Sequence, residues 1–241
     1  MENVISVENM RKSDEHTIAT SVPSLELMRR AAEGIRSSHD FGGSTLIVVG
    51  SGNNGGDGFA LAEILLSEGK DVTVLSVTDH YSKDSTYYME RCKDRGLQLL
   101  QFEPGKDMMK GFDTIVDCLL GTGFKGEVRG IYRAAIEEIN AAGSFVISAD
   151  INSGMNGDTG EAFQAVKSDI TVTIGCHKTG ILLARNGEYI NKVICAYIGI
   201  EPVYGENYLL TPDEWKKKGF PEDKDQITEN GIIYFRGEDI G

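Results

Sequence analysis

Apolar side chains first fall into a helical rhythm at Leu25, Leu27, Met28, Ala31, Ala32 and Ile35, a spacing that lines one face of a helix. Ser24, directly after Pro23, is placed to cap its start. At Ser44 the rhythm changes. Thr45-Leu46-Ile47-Val48-Val49 is an unbroken apolar run rich in branched residues, which predicts a strand buried on both faces. Gly50 to Gly58 interrupts, and helical spacing returns from Phe59 to Ser67. The unit then repeats with variations: strand Val72 to Val77, helix Lys83 to Arg95, strand Thr114 to Leu119, helix Val128 to Ala142, strand Phe145 to Asp150 and strand Ile170 to Ile174. Strands alternating with helices predict an α/β fold with a parallel sheet covered on both faces. Ligands of such sheets bind beyond the carboxyl ends of the strands. Three distinctive segments, Gly50 to Gly58, Asp117 to Gly126 and Asp150 to Gly160, follow strands directly and are expected to converge on one rim. From about Pro202 the pattern changes character, with Trp215-Lys216-Lys217-Lys218 and a late apolar patch at Ile232 to Phe235. This stretch is either an appendage packed on the main domain or on a second subunit, or a mobile tail, and carries no chemistry.

Bulk composition narrows the function classes. The 241 residues are 40% apolar and 25% charged, as in an ordinary globular protein, and one domain is the first expectation. With 24 Lys and Arg against 37 Asp and Glu, the net charge of -13 argues against a nucleic-acid partner and otherwise means solubility. Cys92, Cys118, Cys176 and Cys195 are far apart, with no Cys-x-x-Cys pair and no histidine cluster, so a zinc site is not expected and a reduced, cytoplasmic setting fits them. Cys118 and Cys195 lie in apolar runs, where cysteine behaves as a small core residue. Cys176 adjoins His177, but neighbours on a strand point to opposite faces and are not thereby a nucleophile and its base. Met1 to Arg11 holds two acidic residues and no long apolar core, so no ordinary secretory signal is expected. No run approaches the roughly 18 apolar residues of a membrane span, so no membrane is expected as partner.

The segment Gly50 to Gly58 holds five glycines in nine residues between a buried strand and a helix. Glycine permits close backbone approach, so the loop can offer several N–H groups to an anion at a helix N-terminus. A tight turn would need the glycines alone; Asn53, Asn54 and Asp57 add amide and carboxylate groups that favour a phosphate cradle. The loop lacks Gly-Lys-Ser/Thr and the Gly-x-Gly-x-x-Gly spacing, so neither a P-loop hydrolase nor a hydride-transferring dehydrogenase is supported. Asp117 ends an apolar strand, where a carboxylate must be hydrogen-bonded, paired with a cationic side chain or bound to a metal ion. With oxygen ligands only, any metal would be a hard cation. Asp150 ends the run Phe145 to Ala149, placed either for proton transfer at a cleft or for capping the following turn, and the neighbouring loops favour chemistry. Lys178 is expected to be structural or peripheral to the site, and His16, His39 and His80 are given no role.

Together these segments resemble the YjeF N-terminal domain family, the NAD(P)HX epimerases. The resemblance is carried by Gly52-Asn53-Asn54-Gly55-Gly56-Asp57-Gly58, by Val116-Asp117 with Gly121-Thr122-Gly123, by Asp150-Ile151-Asn152-Ser153-Gly154, and by Ser168 to Thr173 with Lys178, and it extends from about Ser6 to Ile200. It implies a three-layer, Rossmann-like α/β sandwich with a mostly parallel sheet over residues 1–205, followed by an appendage at 206–241. It implies interconversion of the two epimers of hydrated NADH or NADPH in cofactor repair. The substrate would be held by Asn53, Asn54, Gly55, Gly56 and Asp57, by Gly121, Thr122, Gly123, Phe124, Lys125, Gly126 and Glu127, and by Asp150, which would also be catalytic, acting as general acid and then as general base in the exchange. Asn54, Asp117 and Ser153 would bind a potassium ion. Two departures stand out. Asn152 replaces a usual proline and is expected to loosen that turn. Arg29-Arg30-Ala31-Ala32 replaces the usual Glu-x-Ala-Gly in a helix expected to pack a homodimer. No dehydratase domain is recognisable after Ile200, so a separate ATP- or ADP-dependent dehydratase is the expected partner. Two rival readings remain: a non-catalytic binding module of the same fold, against which retention of the acidic residues argues, and an enzyme acting on another nucleotide-like ligand.

Overall fold

Each unbroken run of branched residues becomes a strand of one sheet in the computed structural model, which describes residues 1–238. The chain begins β1 (Glu2–Ile5), α1 (Val7–Thr20), α2 (Ser24–Ser37), β2 (Thr45–Val49), α3 (Asn53–Ser67), β3 (Val72–Ser76), α4 (Lys83–Asp94) and β4 (Gln98–Gln101). It continues β5 (Thr114–Cys118), α5 (Gly130–Ala141), β6 (Phe145–Ala149), β7 (Ser168–Ile174), β8 (His177–Lys178), α6 (Thr179–Ala184) and β9 (Ile190–Ala196). The last elements are β10 (Asn207–Leu210), α7 (Pro212–Lys217), β11 (Gln226–Glu229) and β12 (Ile232–Arg236).

The main sheet has the order β4-β3-β2-β5-β6-β7-β9, and every neighbouring pair is parallel. Alternate residues of β2 serve opposite faces, as the two-residue period of a strand requires. Ile47 and Val49 join Met28, Ile35, Phe59, Leu65 and Cys92 from α2, α3 and α4, whereas Leu46 and Val48 join Ala135, Ile136 and Ile139 of α5. The result is the expected three-layer α/β sandwich. Strand order reverses between β2 and β5, so the loops after these two strands diverge around a crevice, the usual ligand position of such sheets.

Two helix starts differ from the sequence expectation. Ser24 is the first residue of α2, and Pro23 stands at the N-cap without a side-chain hydrogen bond. Helix α3 begins at Asn53, six residues before Phe59, so the glycine-rich segment is largely helix. Glycine disfavours a helix interior, but tertiary contacts require it here: a Cβ at Gly55 would lie 2.2 Å from the Gly50 carbonyl, and one at Gly58 within 3.0 Å of Cys118.

Helix α1 escapes the apolar rhythm because much of its buried face is polar. Asn9, Ser13 and Thr17 are buried beside Met10, and the Ser13 hydroxyl donates to the Asn9 carbonyl while Asn9 Nδ2 donates to the Tyr204 carbonyl. The stretch after Pro202 is folded. A second sheet, β11-β12-β10-β1-β8, ties β10 antiparallel to the N-terminal strand β1 and continues through β1 to β8. Trp215 is buried beneath it with Leu210 and Tyr234, its indole N–H donating to the Pro221 carbonyl. Thr211 caps α7 reciprocally with Glu214, and Pro212 fills the first turn. Thr211→Ala is expected to cost about 1 kcal/mol, read as a melting temperature lower by about 2–4 °C. Among the described residues no helix is long and apolar enough to cross a membrane.

Candidate active site

The crevice opens as a cavity of about 540 Å³ at the carboxyl ends of the strands. The three expected loops meet in its wall: Ser51 to Asn54 with Asp57 from the first, Leu119 to Phe124 from the second, and Asp150 from the third. Gly55 and Gly56 lie behind that wall in α3, and Lys125, Gly126 and Glu127 lie outside it. Asp117 and Ser153 are wholly buried beneath it.

Asp150 sits in a strained turn. The Ile151 N–H donates to the Ala149 carbonyl at 2.7 Å across Asp150, whose φ is +64°. Such a conformation costs a non-glycine residue roughly 1–3 kcal/mol and persists where the surroundings over-determine it. Those surroundings are visible: the Asp150 N–H donates to the Val172 carbonyl at 2.8 Å, and Oδ1 accepts from Lys178 Nζ at 2.5 Å. Lys178 is 1% exposed, and its ammonium also donates to the Ile174 carbonyl at 2.6 Å and to Thr173 Oγ1 at 3.2 Å. All three ammonium protons therefore have acceptors. The lysine expected at the periphery stands in the cavity wall as the partner of Asp150. The buried ammonium and the carboxylate form an ion pair that fixes where Asp150 points.

Behind the wall, Asp117 is saturated. Its carboxylate accepts from the Ser153 hydroxyl (2.5 Å), the Ser153 N–H (2.9 Å), the Ser148 hydroxyl (3.0 Å) and the Leu119 N–H (3.2 Å). Burial nevertheless pushes its carboxyl above the usual range, opposed by these hydrogen bonds. The cluster reaches the cavity through Leu120: its N–H donates to Ser153 Oγ, and its carbonyl accepts from Asn54 Nδ2 at 3.0 Å. Asn54 Oδ1, although buried, has no hydrogen-bond partner among the described residues. Leaving such an atom unsatisfied is expensive and calls for an explanation.

Three further carboxyls, Asp14, Asp57 and Asp84, face the same space. Burial pushes Asp14, on α1, up to about 6, with Lys178 opposing and Asp150 and Glu15 reinforcing. Burial likewise pushes Asp57 well above the carboxylate range, reinforced by Asp150 and Asp14. Asp14 had no sequence signal, since it lies on the helix whose buried face is polar. Asn152 corrects another expectation: its side chain does not loosen the turn but anchors it. Nδ2 lies 2.9 Å from the Val166 carbonyl, Ser168 Oγ and the Tyr189 carbonyl, and Oδ1 accepts from Thr171 Oγ1. Arg29 and Arg30 pair with Glu26, and Arg29 also with Glu33, all on α2 itself. All four cysteines are free, and burial raises each thiol above its usual range, so none is an activated nucleophile. His177 Nε2 lies 3.0 Å from Glu2 rather than against Cys176 Sγ.

A doubly wound parallel sheet with an acid-lined crevice at its reversal point defines a Rossmann-like α/β protein built to hold a small ligand. The family described as YjeF-related protein N-terminus matches residues 19–180. The chain belongs to that family. It is 34% identical over 203 residues to the NAD(P)H-hydrate epimerase of Limosilactobacillus fermentum, covering 81% of this chain and 96% of that protein. It is 35% identical over 209 residues to the enzyme of the same name from Lentilactobacillus buchneri, covering 83% and 96%. The bifunctional NAD(P)H-hydrate repair enzyme Nnr of Coxiella burnetii is 33% identical over 219 residues, 86% of this chain but 44% of that protein. The yeast protein ynu0, YNL200c, shares the fold with a TM-score of 0.65 at 20% identity, covering 73% of this chain and 82% of that one.

Proposed function

We propose that this chain is an NAD(P)H-hydrate epimerase, interconverting the two epimers of hydrated NADH and NADPH. The relatives that span nearly the whole of their own length carry that name. The observation that carries the reading within this molecule is the strained Asp150, ion-paired with buried Lys178 in the wall of the crevice.

The chemistry follows from the substrate. The hydrated ring bears a hydroxyl on the carbon beside its nitrogen, so the nitrogen lone pair can expel it and water can return to the other face. Asp150 is placed to take the proton of the returning water, and Lys178 fixes where its carboxylate points. Gly52, Asn53 and the first turn of α3 offer backbone N–H groups to the dinucleotide's phosphates at the helix N-terminus. The products would pass to a separate ATP- or ADP-dependent dehydratase. The free, buried thiols suit a reducing, cytoplasmic compartment.

A potassium ion is part of the proposal, and the orphaned Asn54 Oδ1 supports it. Asn54, Ser153 and Asp117 form an oxygen-only donor set joined through Leu120, which fits a hard cation. When bound, the ion would supply a fixed positive charge that organises the three loops. Potassium at ten times its Kd is expected to stabilise the fold by about 1.4 kcal/mol, a rise in melting temperature of roughly 3–5 °C. Sodium at equal ionic strength should do less, and equal responses would remove the ion from the proposal.

The epimerase reading is tested by incubating the protein with one isolated epimer of hydrated NADH and following the ratio by chromatography. Acceleration over the uncatalysed rate is expected. A folded protein that gives none would leave a binding module, or an enzyme for another ligand.

A further inference from the structure

Epimerisation by departure and return of water on opposite faces needs two proton-handling groups, one that donates to the leaving hydroxyl and one that receives from the incoming water. Asp150 is placed for the second need, its carboxylate committed to the buried Lys178 ammonium. Beside Asp57 and Asp84, the cavity wall offers Asp14, half-buried on α1, a helix outside the three converging loops. Among the described residues Asp14 makes no hydrogen bond and no ion pair, in contrast to Asp117 and Asp150, whose oxygens are engaged by structural donors.

We propose that Asp14 is the second catalytic carboxyl of this site, the general acid that protonates the departing hydroxyl while Asp150 receives the proton of the returning water. This assignment rests on the epimerase reading. The step balances without an oxidant or a reductant. The proton of Asp14 passes to the hydroxyl oxygen, the carbon–oxygen bond breaks with both electrons leaving on oxygen as water, and the nitrogen lone pair forms a carbon–nitrogen double bond. A water then bonds to the same carbon from the other face, the double-bond pair returns to nitrogen, and the extra proton goes to Asp150. One proton has moved from Asp14 to Asp150, and the reverse reaction or exchange with solvent restores the start.

The surroundings push the Asp14 carboxyl upward, the direction that suits a general acid. Asp14 faces Asp150, Lys178 of β8, Asp57 of α3 and Cys176, with Glu15 beside it on its own helix. Burial raises Asp14 to about 6, with Lys178, the only cation among these groups, opposing and Asp150 and Glu15 reinforcing. The sign follows: the protonated acid is lost as pH rises through that value, and kcat/KM falls with it.

The test is the pH profile of epimerisation between roughly pH 5 and 9, in wild type, Asp14→Asn and Asp14→Glu, each corrected for the uncatalysed rate. Wild type should lose activity on the alkaline side of about 6. Asp14→Asn should be slower by about 100-fold and lack that limb, while Asp14→Glu regains part of the rate. Binding of ADP-ribose, read by thermal shift, should persist in both variants. Asp14→Asn within about two-fold of wild type, or retaining the limb, would overturn the role while leaving the epimerase reading intact. A wild-type profile without the limb would overturn it with no variant at all. A wild type that does not accelerate the exchange removes the epimerase reading, and the role with it.

Discussion

Asp150→Asn is expected to lower the epimerisation rate by about 1,000-fold, within the range a positioned proton-transfer group contributes. The substitution is chosen because the amide keeps the shape of the carboxylate. Its oxygen can still accept from Lys178 Nζ, which retains the Ile174 carbonyl and Thr173 Oγ1 as further acceptors. The lysine's position should therefore survive; basicity is lost, and with it the counter-charge of an ammonium that is 1% exposed, a cost that the retained hydrogen bond offsets in part. Asp150→Ala does more harm: it removes that hydrogen bond together with the counter-charge. Breaking a buried pair in this way destabilises by about 3–5 kcal/mol. The measurement is the single-epimer exchange rate beside a melting curve for each variant. Asparagine should lose activity with a smaller fall in melting temperature than alanine, which should lose both. Normal exchange by Asp150→Asn would dismiss Asp150 as the base and return its strain to a structural cause.

Much of this arrangement was legible in the residue pattern, and the exceptions have physical causes. The strands with two buried faces announce themselves as unbroken branched runs, so the parallel sheet and the meeting of three loops follow from periodicity and the strand-end rule. The start of α3 did not, because Gly55, Gly56 and Gly58 oppose helix locally and are required only by what packs on them. Helix α1 was hidden because Asn9, Ser13 and Thr17 are buried polar groups satisfied by distant partners such as Tyr204. With that helix went Asp14, and no spacing rule would have found it. Lys178 was visible as a residue but not as the partner of Asp150, since a separation of 28 positions hides a 2.5 Å contact. Asn152 shows the same limit: local turn chemistry predicts loosening, whereas three acceptors from two distant segments hold it. The second sheet was unreadable because β1 of four residues and β8 of two pair across most of the chain with β10 and with each other.

Asp117→Ala is expected to be as destabilising as breaking the Asp150–Lys178 pair. Two of its donors, the Ser153 and Leu119 N–H groups, are buried backbone and would be left without an acceptor. The Ser148 and Ser153 hydroxyls lose theirs as well, although Ser153 Oγ can turn to the Leu120 carbonyl at 3.2 Å. At roughly 1–3 kcal/mol for each stranded group, with the hydroxyls partly re-aimed, the loss is about 4 kcal/mol. For a chain of this size that lowers the melting temperature by roughly 10 °C. Asp117→Asn should cost about half as much, because one amide oxygen still accepts while the NH₂ group meets a donor. The asparagine variant also lacks the negative charge that the proposed cation would balance, so it should lose the response to potassium even where it folds. Melting curves of the three proteins, each with potassium and with sodium, separate the possibilities. A stable Asp117→Ala protein would show that the four hydrogen bonds do not hold the loops together. An Asp117→Asn protein that still responds selectively to potassium would move the ion away from Asp117 and leave Asn54 Oδ1 to be satisfied by something else.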